Sequence, residues 1–163
     1  MPINKSIKFL DPSINRKSDN VIKNFQMYKG LPLPSEIEIS ESGTCNRKCS
    51  FCPRSAPGFE DKKEFIETVL IEKLSKELSH VNYKGTVRFS GFVEPLLDKN
   101  IYNLLLLVKK YLPYCNLEMV TNGDVLNLER LKKLFTNGLN TILISVYDSK
   151  EDAENFQKLC EEA

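Results

Sequence analysis

Three cysteines, Cys45, Cys49 and Cys52, fall within eight residues of the stretch 42–54, spaced C-x3-C-x2-C. A thiolate is a soft donor, so three of them in one short loop can converge on a single metal centre. Iron–sulfur clusters are usually held by four cysteine thiolates. A loop that offers three leaves one iron open to a ligand that is not protein.

Two other readings of the same cysteines stand beside this one. Positions 45, 49 and 52 also describe the stripe of one helix face, and buried cysteine is a common small hydrophobe. Gly43 before the run and Pro53 directly after it argue against a helix, and no apolar partner extends the stripe. Structural zinc wants four ligands, typically two pairs. The one histidine, His80, falls at the far end of the helix expected after the loop. Cys115 falls at the start of a strand and Cys160 on a late helix, where both read as packing residues.

The elements that must position the loop follow from periodicity. Ile37 and Ile39 alternate with Glu36, Glu38 and Ser40, the pattern of a strand leading into it. Behind the loop, Phe65, Ile66, Val69, Leu70, Leu74 and Leu78 recur at helical steps, with Glu60 and Asp61 near the start and Asn82 and Gly85 past the end. Three more strands centre near residues 88, 118 and 143. Asp98 is the expected cap of a helix through Leu104 and Val108 that Pro113 stops. Asn127 caps the next helix, with Gly138 as its C-terminal signal, and a fourth begins near Ser149. Residues 1–35, punctuated by Pro12, Pro32 and Pro34, read as an irregular leader with a short helix around Val21 to Tyr28.

Alternating strands and helices imply an α/β fold, four βα units building a parallel sheet. A full (β/α)8 barrel needs at least ~200 residues, so four units make half a barrel or a small open sheet. The apolar fourth strand would then be an unprotected edge. The expectation is a fragment or truncated form.

With 163 residues, 23 basic and 22 acidic, the net charge is +1. Neither a nucleic-acid nor a membrane partner is indicated, since each normally shows as a basic excess or patch. The most apolar segment, Ile101 to Val108, is far short of the ~20 residues of a membrane span. Five cysteines without an export signal at Met1–Lys5 point to a reducing cytoplasm.

In βα folds chemistry collects at the carboxyl ends of the strands. Those ends are the cysteine loop, Ser90-Gly91-Phe92-Val93-Glu94-Pro95, Thr121-Asn122-Gly123 and Ser145-Val146-Tyr147-Asp148. The cysteine spacing, with Phe51 just before the last cysteine, resembles the signature loop of the radical S-adenosylmethionine (radical SAM) superfamily. The Ser90 to Leu97 segment is similar to that family's second motif, a glycine-rich segment ending in Glu-Pro, and the other two ends are similar to its third- and fourth-strand motifs. The resemblance runs from about Ser35 to Ala163.

The resemblance implies the N-terminal part of a partial (β/α)6 TIM-like barrel over residues 36–163, truncated, behind the leader. It implies that Cys45, Cys49 and Cys52 hold a [4Fe–4S] cluster whose open iron binds S-adenosylmethionine. Gly91, Phe92 and neighbouring backbone would meet the SAM amino group. Asn122 and Ser145 would bond its polar portion, and Phe51 would border the adenine. Glu94 belongs to the same cofactor-binding set or braces the loop. Arg47, Lys48 and Arg54 either temper negative charge near the site or form a solvated face. Val93 stands where the family commonly has a second glycine. The Cys-Pro-Arg after the last ligand is similar to members with a C-terminal iron–sulfur domain. A small flavodoxin- or ferredoxin-like electron donor is the expected partner. The alternative is a non-catalytic iron–sulfur or metal-binding module that keeps the loop and does not turn over.

Overall fold

The computed structural model describes residues 18–19 and 21–163. Its first strands, β1 (Gln26–Tyr28) and β2 (Leu31–Leu33), form an antiparallel hairpin with Tyr28 opposite Leu31. The helix expected over 21–28 stops at residue 23. Lys29 and Gly30 both have positive φ (49° and 81°), the backbone of a two-residue primed turn, and that turn sets the flanking residues in strand pairing instead. The hairpin docks at the amino ends of the main sheet. Gln26 Nε2 donates to the Asn82 carbonyl (2.7 Å), and Asn24 Nδ2 donates to Thr86 Oγ1 (3.1 Å).

The main sheet runs in the order β3 (Glu36–Ile39), β4 (Thr86–Phe89), β5 (Asn116–Thr121) and β6 (Thr141–Ile144), all parallel. Its register sorts side chains onto two unlike faces. Ile39, Phe89, Met119 and Ile142 form one row, with Ile37, Val87 and Leu117 beneath it. These apolar rows pack against helices α1 (Thr68–His80), α2 (Ile101–Tyr111) and α3 (Leu128–Thr136), which bury Ile71, Leu104, Leu105, Val108 and Leu134 into the same core. Helix α4 (Lys150–Glu162) follows β6 and buries no residue fully. The opposite face is mostly polar: Glu38, Arg88, Glu118 and Thr141 share one row, with the Val120–Leu143 pair above it. Buried Arg88 pairs there with Glu36 and with Glu118 (Nε to Oε1, 2.5 Å).

Three boundary expectations change. Helix α1 begins at Thr68, because Phe65 forms an antiparallel bridge with Ser42 and Ile66 N–H donates to the Glu41 carbonyl (2.7 Å). Asp98 does not cap α2. It accepts from Asn100 N–H (2.8 Å), two residues early, and Asn100 precedes the helix. Strand β6, apolar in sequence, is half-buried at every position, since among the described residues it pairs only with β5. Asn127 does cap α3, accepting from Arg130 N–H (2.9 Å), and Gly138 ends it at φ 100°.

Candidate cofactor site at the strand ends

The cysteine loop is closed at its base. Gly43 N–H donates to the Glu64 carbonyl (2.9 Å), one step beyond the Ser42–Phe65 bridge, so residues 41–43 and 64–66 run as a short antiparallel pair. Gly43 is required there, because a Cβ would stand 2.3 Å from the Lys62 carbonyl oxygen. Inside the loop, Cys52 N–H bonds the Cys49 carbonyl (2.9 Å), and the hydroxyl of Ser55 bonds the same carbonyl (2.7 Å). A 3-10 turn, Pro53–Ser55, follows. The chain over residues 45–52 is not helical, so the three cysteines are not the stripe of a helix.

Two arginines fasten this loop to its neighbours. Arg47 grips Asp124 with two nitrogens (Nε to Oδ2, 2.7 Å) and reaches Asp148 with Nη2 (2.8 Å), so it ties the loop to the ends of β5 and β6. The guanidinium holds the Asp124 carboxyl below its ordinary pKa, and the two carboxylates push that of Arg47 up. Asn46 completes the contact, donating to Asp124 and accepting from Asn122 Nδ2, each at 2.8 Å. Arg54 has only 4% of its side chain exposed. It donates to the carbonyls of Gly43 (3.2 Å) and Phe92 (2.9 Å), pairs with Asp61 and lies over the Phe59 ring at 5.0 Å. Arg47 and Arg54 are therefore structural ties rather than a solvated face, whereas Lys48 is exposed. Both ties bind groups far off in sequence, which composition and spacing do not reveal.

Glu94 is buried, and its carboxylate is fully engaged by protein. Oε1 accepts from Leu96 N–H (3.0 Å) and Thr121 Oγ1 (2.6 Å), and Oε2 accepts from Asn122 N–H (2.8 Å). Burial pushes its pKa up while these bonds oppose the rise. The second and third strand ends are thus joined through one carboxylate. Backbone joins the loop to the same segment, Glu94 N–H donating to the Thr44 carbonyl (3.0 Å).

Between these ends lies a cavity of about 230 Å³. It is lined by Cys45, Cys49, Cys52, Phe51, Gly91, Phe92, Glu94, Asn122 and Ser145, all the residues singled out from sequence, and by Arg47, Arg54, Val93 and Tyr147 among others. Gly91 has φ 119°, and a Cβ on it would meet Ser40 Oγ at 2.1 Å, so glycine is needed on two counts. Val93 has no such conformation, so the backbone does not itself demand glycine there. Phe51, 67% exposed, meets Tyr147 edge to face with centroids 5.0 Å apart. Tyr147 thereby adds an aromatic wall that its strand-end position alone did not single out. Asn122 Nδ2 also approaches Cys45 Sγ (3.8 Å), and Arg47 N–H donates to that sulfur (3.4 Å).

The donors suit a cluster better than one ion. Among the described residues, no three His, Cys, Asp or Glu side chains close on a single point. A cubane cluster puts each thiolate on a different iron, which asks for three separated sulfurs on one cavity wall. All three loop cysteines are free, partly exposed and on that wall. His80, Cys115 and Cys160 do not line the cavity, which removes the fourth ligand a zinc site would need.

Parallel βα units thus place a three-cysteine loop and a cavity together at the carboxyl ends of one four-stranded sheet. The family model of the radical SAM superfamily matches residues 39–162, and the chain belongs to that superfamily. It is 31% identical over 111 residues to the S-adenosyl-L-methionine-dependent 2-deoxy-scyllo-inosamine dehydrogenase of Niallia circulans, covering 68% of this chain and 44% of that one. It is 29% identical over 119 residues to the GTP 3',8-cyclase of Clostridium perfringens strain SM101, covering 71% and 35%. BtrN, solved in complex with AdoMet and 2-DOIA, superposes with a TM-score of 0.68 at 28% identity over 80% of this chain and 53% of that one. BtrN in an open conformation gives 0.64 at 29% identity, over 74% and 53%. The four βα units thus match part of a TIM-like radical SAM fold, and the chain spans about half the length, or less, of these relatives. No described helix is long and apolar enough to cross a membrane.

Proposed function

We propose that residues 36–163 form the cofactor-binding part of a radical SAM enzyme, with Cys45, Cys49 and Cys52 holding a [4Fe–4S] cluster and S-adenosylmethionine bound beside it. The observation that carries this reading is the shared cavity, which all three cysteines and all six other candidate residues line. Bound together, the two cofactors supply reductive cleavage of the sulfonium to methionine and a 5′-deoxyadenosyl radical, which takes hydrogen from a substrate.

The protein's part is placement. Phe51 and Tyr147 offer aromatic faces to a planar base. The Ser145 hydroxyl, with no partner among the described residues, offers a hydrogen bond to a polar portion of the ligand. Asn122 points its amide nitrogen at Asn46 and Cys45, and so acts on the loop as well as on any ligand. Glu94, with both oxygens engaged, holds the second and third strand ends in register and acts on SAM through backbone it positions. Electrons would come from a small flavodoxin- or ferredoxin-like protein, as the family implies.

The test is anaerobic reconstitution with iron and sulfide, then reduction in the presence of SAM. Release of 5′-deoxyadenosine is the expected result. A cluster that forms and leaves SAM intact would favour the non-catalytic module. Uptake of zinc with no iron would sink both.

A further inference from the structure

The segment between β4 and the Pro95 turn lines the cavity with Gly91, Phe92, Val93 and Glu94, and its backbone carbonyls are not equivalent. The Ser90 carbonyl accepts from Ser40 Oγ (3.0 Å) and the Phe92 carbonyl from Arg54 Nη1 (2.9 Å). The Glu94 carbonyl accepts from Leu97 N–H (3.1 Å). Those of Gly91 and Val93 have no partner among the described residues. A backbone acceptor in a binding site is useful to the extent that its direction is fixed. The plane of the Val93 carbonyl is held at its other end, where Glu94 N–H donates to the Thr44 carbonyl (3.0 Å). That of Gly91 is bonded at neither end among the described residues and turns through φ and ψ, a freedom that glycine widens.

One group removes it. Arg54 follows the last loop cysteine by two residues, and its planar guanidinium spans the loop base at Gly43 and the middle of the Gly91–Val93 segment at Phe92. It is held in turn by Asp61 and by stacking on Phe59. Its burial makes it costly to leave unpaired, so the bridge is firm once formed.

Resting on the reading above, we infer that Arg54 is a positioning residue for S-adenosylmethionine: by fixing the Phe92 carbonyl it holds the preceding Gly91 carbonyl as an acceptor for the ligand's ammonium group, in register with the cysteine loop. Arg54 itself need not touch the ligand. A cation can make this bridge only if it reaches two carbonyls and a carboxylate at once, which suits the forked guanidinium and not the point charge of lysine.

The experiment measures SAM affinity of the reconstituted protein by equilibrium dialysis and by the change SAM makes in the EPR spectrum of the reduced cluster. Iron and sulfide contents and the thermal midpoint are recorded beside them. Arg54→Met is expected to keep its cluster content and to bind SAM roughly tenfold to hundredfold more weakly, the range set by one charged hydrogen bond. Arg54→Lys keeps the charge and is expected to recover that loss only in part. Equal SAM affinity in wild type and Arg54→Met overturns the inference. If Arg54→Met fails to fold, Arg54→Lys decides, and full SAM affinity in that variant overturns it as well. Lower stability with an unchanged SAM-induced spectrum would make Arg54 a structural staple only. A wild-type protein that takes up its cluster and binds no SAM removes the underlying reading, and the inference with it.

Discussion

Arg47 meets Asp124 through two nitrogens, 77 residues apart in the chain, with Nε 2.7 Å from Oδ2. The pair sits where the cysteine loop touches the end of β5, two residues after the first candidate ligand. Arg47→Met is therefore expected to shorten the lifetime of a reconstituted cluster against a chelator several-fold, while far-UV circular dichroism stays that of the wild type. Asp124→Asn should fall between the two, because Asp148 still holds Arg47. Unchanged cluster lifetimes in both variants would show that the tie does not support the loop.

Ligand assignment is tested by contrast. Cys49→Ala should abolish iron uptake, whereas Cys160→Ala, exposed on α4, should leave it at the wild-type level. Equal retention by the two variants would refute the assignment.

Glu94 offers a test of the brace. Glu94→Gln keeps shape and puts an NH2 where a carboxylate oxygen now accepts, facing Asn122 N–H or the donors of Leu96 and Thr121. A buried donor left without an acceptor costs roughly 1–3 kcal/mol. The expected loss is read by urea denaturation, and a variant as stable as the wild type would mean the carboxylate is already protonated and donating.

Glu41 is the opposite case. It is wholly buried at the base of the cysteine loop, and neither carboxylate oxygen has a well-formed hydrogen bond. Burial first, then the charges of nearby Asp98 and Glu94, raise its pKa from 4.5 to about 7. Because the folded pKa is the higher one, its contribution to stability is complete below the unfolded value and is lost as pH rises from 4.5 to about 7. Glu41→Gln removes the titration. The variant should match the wild type near pH 4 and exceed it by up to roughly 3 kcal/mol above pH 7. A difference between the two proteins that does not vary with pH would exclude this origin.

How much of this could be read in the chain differs by feature. Three of the four strands were legible because one face of the sheet is apolar and the other mostly polar, so period-two alternation survives even in four-residue strands such as Glu36–Ile39, and the fourth, Thr141–Ile144, showed as a short apolar run. The strand-end residues followed from topology, since parallel strands bring all their carboxyl ends to one side. The start of α1 was not legible. Phe65 and Ile66 fit the helical spacing of Val69 and Leu70, and only the pairing with Glu41 and Ser42, a tertiary contact, takes them out of the helix. The roles of Arg47 and Arg54 were hidden for the same reason. Arginine in a polar loop looks the same whether it faces water or bridges two carbonyls 49 residues apart, as those of Gly43 and Phe92 are. The β1–β2 hairpin was missed because its signal is a pair of left-handed residues, and Lys29 gives no hint of positive φ.

The closed base at Gly43 and Glu64 also divides the loop into an arm that carries the thiols and a return arm that holds Arg54 through Phe59 and Asp61. The return passes through Gly58, which has φ 82° and open space around it. With the ends already pinned, each doubling of such a return arm costs only about 0.6 kcal/mol in closure entropy. A peptide tag spliced in at Gly58 should leave the thiol arm undisturbed, so this bend is a natural place to attach a spectroscopic label a short way from the cavity.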